Sequence, residues 1–256
     1  MQKEKLAIIV PYRDRAEHRK EFVPYMEQYI KGIDYTIFFI EQGNSLPFNR
    51  ATLLNIGFQE NLNEYDYFVF HDVDLIPVDA DYSYNKNVTR IASGYESFNW
   101  QLPYPESMGG VVMFEKKSFL EINGFSNNYW GWGREDDELY MRVIAAKIPI
   151  TDRHGLYRAL KHFRMKDDAL LEYNTQVRAE AAEKFKKGDF SEGLSTTKYT
   201  VVKKKAFSEQ SVVITVDFEM NAQVNYSSVK YNLKDKYGKF RFWLGKTRRQ
   251  IMGKKL

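Results

Sequence analysis

The sequence predicts an α/β fold: a mostly parallel, Rossmann-like sheet with helices on both faces, followed by a basic C-terminal tail. Three observations predict it. Short apolar runs at Leu6–Val10, Tyr35–Ile40 and Tyr67–His71 alternate with stretches of helical periodicity. Strand, helix, strand, helix, strand is the order that crossover connections impose on a parallel sheet. The chain has 256 residues, 43% hydrophobic and 28% charged, enough to bury one substantial core and unlike a disordered chain.

Leu6–Val10 reads as a buried strand stopped by Pro11. Glu17 to Ile33 reads as a helix, with Phe22, Met26, Tyr29, Ile30 and Ile33 at three-and-four spacing and Gly32 near its end. Tyr35–Ile40 is the second strand, a polar loop follows at Glu41–Ser45, and a helix runs from about Asn49 to Glu60. Tyr67–His71 is the third strand and leads into Asp72-Val73-Asp74. Such sheets bind ligands at the carboxyl ends of their strands, so Pro11–Arg15, Glu41–Ser45 and Asp72–Asp74 are expected along one edge. Beyond them come an aromatic, proline-containing loop at Tyr95–Tyr104, a strand at Val111–Phe114 after Gly109-Gly110, and a short helix at Ser118–Ile122. A loop at Asn127–Gly133, a helix from Glu135 to Ala146 and a late hairpin of Tyr199–Lys205 with Val212–Phe218 complete the reading.

The absence of cysteine removes disulfides, thiol catalysis and zinc–thiolate sites together. No apolar run approaches the roughly 18–20 residues of a membrane span. Met1–Lys5 leads into a short apolar stretch that ends at Pro11, so no export signal is expected and the expected compartment is the cytoplasm. Net charge is +4, unevenly distributed. Glu219–Leu256 holds ten Lys/Arg against two acids, whereas Met1–Phe218 is net −4. That asymmetry divides the chain into a body, 1–218, and a tail, 219–256, with an anionic partner expected for the tail.

Two acidic motifs carry chemistry. In an extended segment, residues two apart point to the same side, so Asp72 and Asp74 can face one cation; the plainer alternative is a strand end with two solvated acids. Glu135-Asp136-Asp137-Glu138 opens a helix, where acids favour the macrodipole, but it directly follows Trp130-Gly131-Trp132-Gly133. Indoles stack on sugar rings, and a carboxylate beside such a platform suits a general base for a sugar hydroxyl. Basic residues in Pro11-Tyr12-Arg13-Asp14-Arg15 and Arg50 in Phe48-Asn49-Arg50 suit phosphate, or form ordinary surface turns. Histidine occurs only at 18, 71, 154 and 162. There is no P-loop, GxGxxG, HExxH or GxSxG, which leaves ATP, dinucleotide, zinc-protease and serine-hydrolase readings without support.

In this order, PYRDR, FNRATLLNIGF (48–58), FVFHDVDLIP (68–77), MGGVVMFEKKSFLEINGFSNNYWGWGREDDELYMR (108–142) and His162 resemble the β-1,4-galactosyltransferase family. The resemblance spans about residues 6–218 and is that of a cysteine-free, bacterial type of member. It implies a GT-A-like fold, a UDP-sugar donor, a divalent metal, usually Mn2+, and inversion at the anomeric carbon. By matching motif, Pro11, Tyr12, Arg13, Arg15, Phe48 and Arg50 look like nucleotide contacts, and Asp72 and Val73 like donor contacts. Asp74 and His162 look like metal ligands, Trp132 like the loop tryptophan touching donor and acceptor, Glu135 like a sugar-hydroxyl partner and Asp136 like the catalytic base. Ser107 stands where vertebrate members carry a donor-crowding tyrosine, which makes UDP-N-acetylgalactosamine an expected donor beside UDP-galactose. Ala159 stands where they carry a methionine ligand, which leaves metal preference open. Arg134 replaces a small or apolar residue.

The acceptor is expected to be a sugar or a lipid-linked glycan of surface polysaccharide synthesis. Lys239-Phe240-Arg241-Phe242-Trp243-Leu244 and the basic residues after it read as an interfacial segment for an anionic membrane, on the inner face of the cell membrane, or as a solvated tail. Nucleic acid is not expected as a partner. A non-catalytic glycan- or nucleotide-sugar-binding protein is the alternative reading, with Ala159 as its support.

Overall fold

Uninterrupted burial of Leu6–Tyr12 places the first strand at the centre of the sheet, where both faces need apolar cover. The computed structural model describes residues 4–161 and 167–220; His162 and the segment 221–256 lie outside them. In chain order the elements are β1 (Lys5–Tyr12), α1 (Ala16–Tyr29), β2 (Asp34–Gln42), α2 (Arg50–Asn61), β3 (Tyr67–His71), β4 (Leu75–Ala80), β5 (Val88–Arg90) and β6 (Gly94–Tyr95). They continue with β7 (Val111–Glu115), α3 (Lys116–Glu121), α4 (Glu135–Ala145), β8 (Ile150–Asp152), β9 (Gly155–Ala159), α5 (Asp168–Phe185), β10 (Thr200–Ser208) and β11 (Ser211–Asp217).

The main sheet has the order β10-β11-β2-β1-β3-β7-β5-β8, and β4-β9-β6 form a smaller second sheet. β11, β2, β1 and β3 are mutually parallel, while β7 joins β3 antiparallel. Alternation along β1 separates two cores. Leu6, Ile8 and Val10 pack with Phe22, Val23 and Met26 of α1. On the opposite face α2 approaches so closely at Gly57 that any Cβ would collide with Ile9 and Ile40. Phe58, Phe68, Phe70, Phe114, Phe119 and Phe125 fill that side, with ring centroids 4.4–5.9 Å apart.

Several expectations shift. β1 runs through Pro11 to Tyr12 instead of stopping before the proline, because its pairing with β3 has already ended at Ile9↔Phe70 and a missing N–H breaks no ladder on that side. α1 ends at Tyr29, four residues early, where Ile30 turns extended and Gly32 takes a φ of +73° to lead into β2. The late hairpin forms, and its second strand also extends the main sheet by pairing parallel with β2. α5 and the second sheet were not anticipated; α5 buries only Leu170, Asn174 and Phe185, too few for a periodic signal.

Candidate active site

Parallel register brings the ends of β1, β2 and β3 to one edge, with Tyr12 opposite Glu41 and Ile9 opposite Phe70. The helix that rises from this edge starts with Asn49 as its N-cap: the side-chain oxygen accepts from the Thr52 N–H at 2.9 Å. Its Nδ2 donates to the Asn127 carbonyl at 2.8 Å, and Asn55 and Thr52 bond the Asn127 side chain. Two motifs far apart in sequence, 48–58 and 127–133, are therefore one buried hydrogen-bonded unit.

Arg50, on the first turn of α2, gathers the acids. Its Nε donates to Asp72 Oδ1 at 2.7 Å, and its Nη1 lies 3.9 Å from Glu135 Oε1. Arg50 and Glu135 are nearly buried, and Arg50 Nη2 and Glu135 Oε2 have no hydrogen-bond partner among the described residues. Unpaired buried polar atoms of opposite sign facing one edge suit a polar ligand. Burial, and after it the neighbouring Asp136 charge, push the Glu135 carboxyl above the usual carboxylate range. Burial likewise pushes Asp136 up, against the opposing pull of Arg50.

Asp136 is seated by backbone. Its Oδ1 accepts the Asp137 N–H at 2.9 Å, and its Oδ2 occupies the space a Cβ would take at Gly109. The Gly109 carbonyl accepts the Tyr95 hydroxyl at 2.9 Å, which holds this strip in place. Ser107, buried two residues upstream, donates its N–H to the Tyr104 carbonyl at 3.2 Å, and the Tyr104 hydroxyl donates to Asp137 Oδ1 at 2.8 Å.

The tryptophan loop is held at both ends. Gly131 donates its N–H to the Phe48 carbonyl at 2.8 Å. Asn174 of α5, fully buried, donates to the carbonyls of Trp130 and Gly133 at 3.0 and 2.9 Å and accepts the Trp130 N–H at 3.2 Å. Gly131 (φ +74°) and Gly133 (φ +102°) take a conformation that L side chains disfavour, and it turns Trp132 outward to 56% exposure while Trp130 is buried.

Of the residues expected at the site, Arg50, Asp72, Glu135 and Asp136 are brought together. Arg13 lies half-buried at the same edge, its Nη1 on the Leu46 carbonyl at 2.6 Å and its guanidinium 5.3 Å from the Phe48 ring centroid. Pro11 and Val73 are buried, and Arg15 is half-buried as the N-cap of α1. Tyr12 departs from expectation: its ring is core, edge-on to Phe39 and 4.8 Å beneath the Arg19 guanidinium, because β1 carries it inward. Asp74 stands just before β4, its carbonyl accepting the Leu160 N–H at 2.7 Å, so the chain that leads toward position 162 passes beside it. His162 itself is outside the described residues. Among the described residues no three His, Cys, Asp or Glu side chains form a metal cluster. The hard carboxylate oxygen of Asp74 suits a divalent cation, and imidazole is a compatible second ligand. Asn174, Tyr95 and Tyr104 were not foreseen; Gly109-Gly110 was the available signal, since paired glycines before a strand mark close approach.

Residues 1–87 match the family model of the N-terminal region of glycosyl transferase group 7, and residues 89–166 match that of the N-terminal domain of galactosyltransferase. The chain is 32% identical over 220 residues to Drosophila melanogaster β-1,4-galactosyltransferase 7, covering 83% of this chain and 68% of that one. It belongs to the β-1,4-galactosyltransferase family. Human β-1,4-galactosyltransferase 1 is 39% identical over 204 residues, 77% of this chain and 51% of that protein. The chain thus spans about half the length of the first curated relatives it matches. A crystal structure of the catalytic domain of the Drosophila β-1,4-galactosyltransferase 7 with xylobiose superposes with a TM-score of 0.70 at 29% identity, over 84% of this chain and 94% of that one. A mutant of the same enzyme, in complex with manganese, UDP-Gal and xylobiose, gives 0.67 at 30% identity over the same shares. The GT-A-like fold follows from these structures.

Proposed function

We propose that this chain is an inverting, metal-dependent glycosyltransferase that moves galactose from UDP-galactose to a sugar hydroxyl, in β-1,4 linkage. The observation that carries this reading is the seat of Asp136: a half-buried carboxylate packed against the bare Gly109 backbone, beside the Arg50–Asp72–Glu135 cluster. A carboxylate lifted by burial is a stronger base than a free one, and here it takes the proton of the acceptor hydroxyl. The acceptor oxygen attacks the anomeric carbon as the bond to the diphosphate oxygen breaks, and UDP leaves with that electron pair. Arg50 holds Asp72 and Glu135 in position, and Glu135 accepts a hydroxyl of the transferred sugar. Arg13 and Phe48 line the nucleotide end. Asp74 and His162 would hold a divalent cation, manganese being the one in the neighbouring structure, and it would supply charge neutralisation for the leaving diphosphate. Trp132 stacks on the sugars from the closing loop.

Ser107 is small and buried next to Gly109, which supports UDP-N-acetylgalactosamine as a second donor. We read 1–218 as the catalytic domain and 219–256 as a tail for an anionic membrane, at the cytoplasmic face, with a lipid-linked glycan as acceptor; the composition of the tail supports this.

The test is UDP release from UDP-galactose and UDP-N-acetylgalactosamine in parallel, with manganese, magnesium or EDTA and with GlcNAc, glucose or xylose acceptors. Metal-dependent release that Asp136→Asn abolishes is the expected result. Donor binding without turnover on any acceptor favours the binding-protein alternative, and no donor binding overturns the reading.

A further inference from the structure

β10 is an edge strand whose residues from Thr200 to Phe207 are all exposed. It pairs only with β11 among the described residues. Lys198 to Ser208 contains four lysines and no acid, within a body, Met1–Phe218, that is net −4. No described carboxylate pairs with Lys203, Lys204 or Lys205. Lysines on a free edge discourage strand addition, and that role alone explains them in many sheets. It does not explain their company. Val201 and Val202, at 38 and 63% exposure, stand beside them, as does Phe207, whose ring packs on one side against Arg19 and Phe39, and exposed apolar groups invite the association that edge lysines prevent.

Unpaired cations interleaved with exposed apolar side chains fit a bilayer that carries anionic headgroups, where the charges meet phosphate and the apolar groups enter the acyl boundary. We propose that β10 is a membrane-docking edge for an anionic lipid surface. Its position gives that docking a use. Lys203 pairs with Thr215, and Thr215 pairs with Glu41 at the carboxyl end of β2, so the basic run begins near the sheet edge that bears the candidate active site. The inference rests on the transferase reading only for its purpose, a lipid-linked acceptor; the docking itself does not need it.

The test is co-sedimentation of the full chain with phosphatidylcholine vesicles, with and without about a third of phosphatidylglycerol, at low and high salt. Wild type is compared with K203E/K204E/K205E, with V202S, and with K184E/K186E/K187E, which makes the same change of charge on and just after α5. Each lysine at a membrane surface adds about 1 kcal/mol, roughly fivefold in affinity. The expected result is at least a tenfold loss for the β10 triple variant, a smaller loss for V202S, and less than threefold for the α5 triple variant. Binding of the β10 triple variant equal to wild type, or equal losses in both triple variants, overturns the proposal. Thermal midpoints and UDP release on a soluble acceptor without vesicles are measured on the same preparations. Loss of turnover in wild type there counts against the transferase reading and leaves the docking result standing.

Discussion

Asp136 and Gly109 are fitted to one another: Oδ2 of the aspartate fills the place where any other residue at 109 would carry its Cβ. The carboxylate is thus positioned by the absence of a side chain across from it. Gly109→Ala is expected to push the base from its seat without disturbing the aromatic core. Because a displacement of about 1 Å at a reacting centre can cost 100-fold, UDP release should fall by about that factor. Unfolding midpoints should move little, and donor binding should persist; an active Gly109→Ala enzyme would show that Asp136 has another working position.

Asn174 ties α5 to the tryptophan loop through three hydrogen bonds, two of them given to the carbonyls on either side of the Gly131-Trp132 turn. Asn174→Leu removes all three at similar volume. Leaving buried backbone groups unpaired costs about 1–3 kcal/mol each, so a stability loss of at least about 3 kcal/mol is expected. A tenfold fall in kcat/KM, carried mainly by the KM for donor, separates loop positioning from mere loss of folded enzyme. Fluorescence of the exposed Trp132 should shift in the folded variant, and an unchanged KM would argue that the loop holds without this tie.

How much of this was legible beforehand depends on the range of the forces involved. β1, β2 and β3 and the edge they share could be read because continuous apolar runs report burial on both faces of a strand. Asp72, Asp74 and the acids after Gly133 were visible as local motifs. What escaped was set by contacts distant in sequence. α5 is polar along most of its length and buries only Leu170, Asn174 and Phe185. Tyr12 stands in a basic motif, yet the alternation of β1 turns its ring into the core. The need for glycine at 109 arises from a carboxylate 27 positions away, which no local pattern contains.

Beneath the candidate site, Arg142 donates through Nε to Glu138 at 2.6 Å and through Nη1 to the Ile122 carbonyl at 3.1 Å, and it reaches Glu192 at 3.4 Å. Both members of the 138–142 pair are buried. Removing one member of such a pair strands the other, which costs about 3–5 kcal/mol. Arg142→Met should lose that much in urea unfolding at pH 8. Burial raises Glu138 to about 7 even beside Arg142, and without the guanidinium that lowers it the acid is raised further, so the stranded acid takes up a proton as pH falls and the loss should shrink. Glu138→Leu combined with Arg142→Met should recover part of the stability, since no buried charge is left at either position. A double variant as unstable as Arg142→Met alone would place the cost in packing.

His71 gives the last prediction, one of pH dependence. It is fully buried, with Nε2 at 2.8 Å from the Tyr82 hydroxyl and Nδ1 at 2.9 Å from the Asp72 carbonyl. Burial lowers its pKa from 6.5 to about 4. The unfolded chain therefore binds a proton near pH 6.5 that the folded chain refuses until about pH 4, and stability from this group is lost as pH falls through that window. Glu138, raised to about 7, acts in the opposite direction, because the folded chain holds a proton there that the unfolded chain has released. The wild-type profile alone is thus flattened by cancellation. The difference between wild type and His71→Gln isolates the histidine. His71→Gln should be the less stable protein at pH 7.5, and its disadvantage should narrow by up to about 3 kcal/mol by pH 4 as wild type takes on the unfavourable proton. Urea midpoints at pH 7.5, 6, 5 and 4 for both proteins measure it. A difference that stays constant across those values would mean that the buried imidazole is not held neutral by its surroundings.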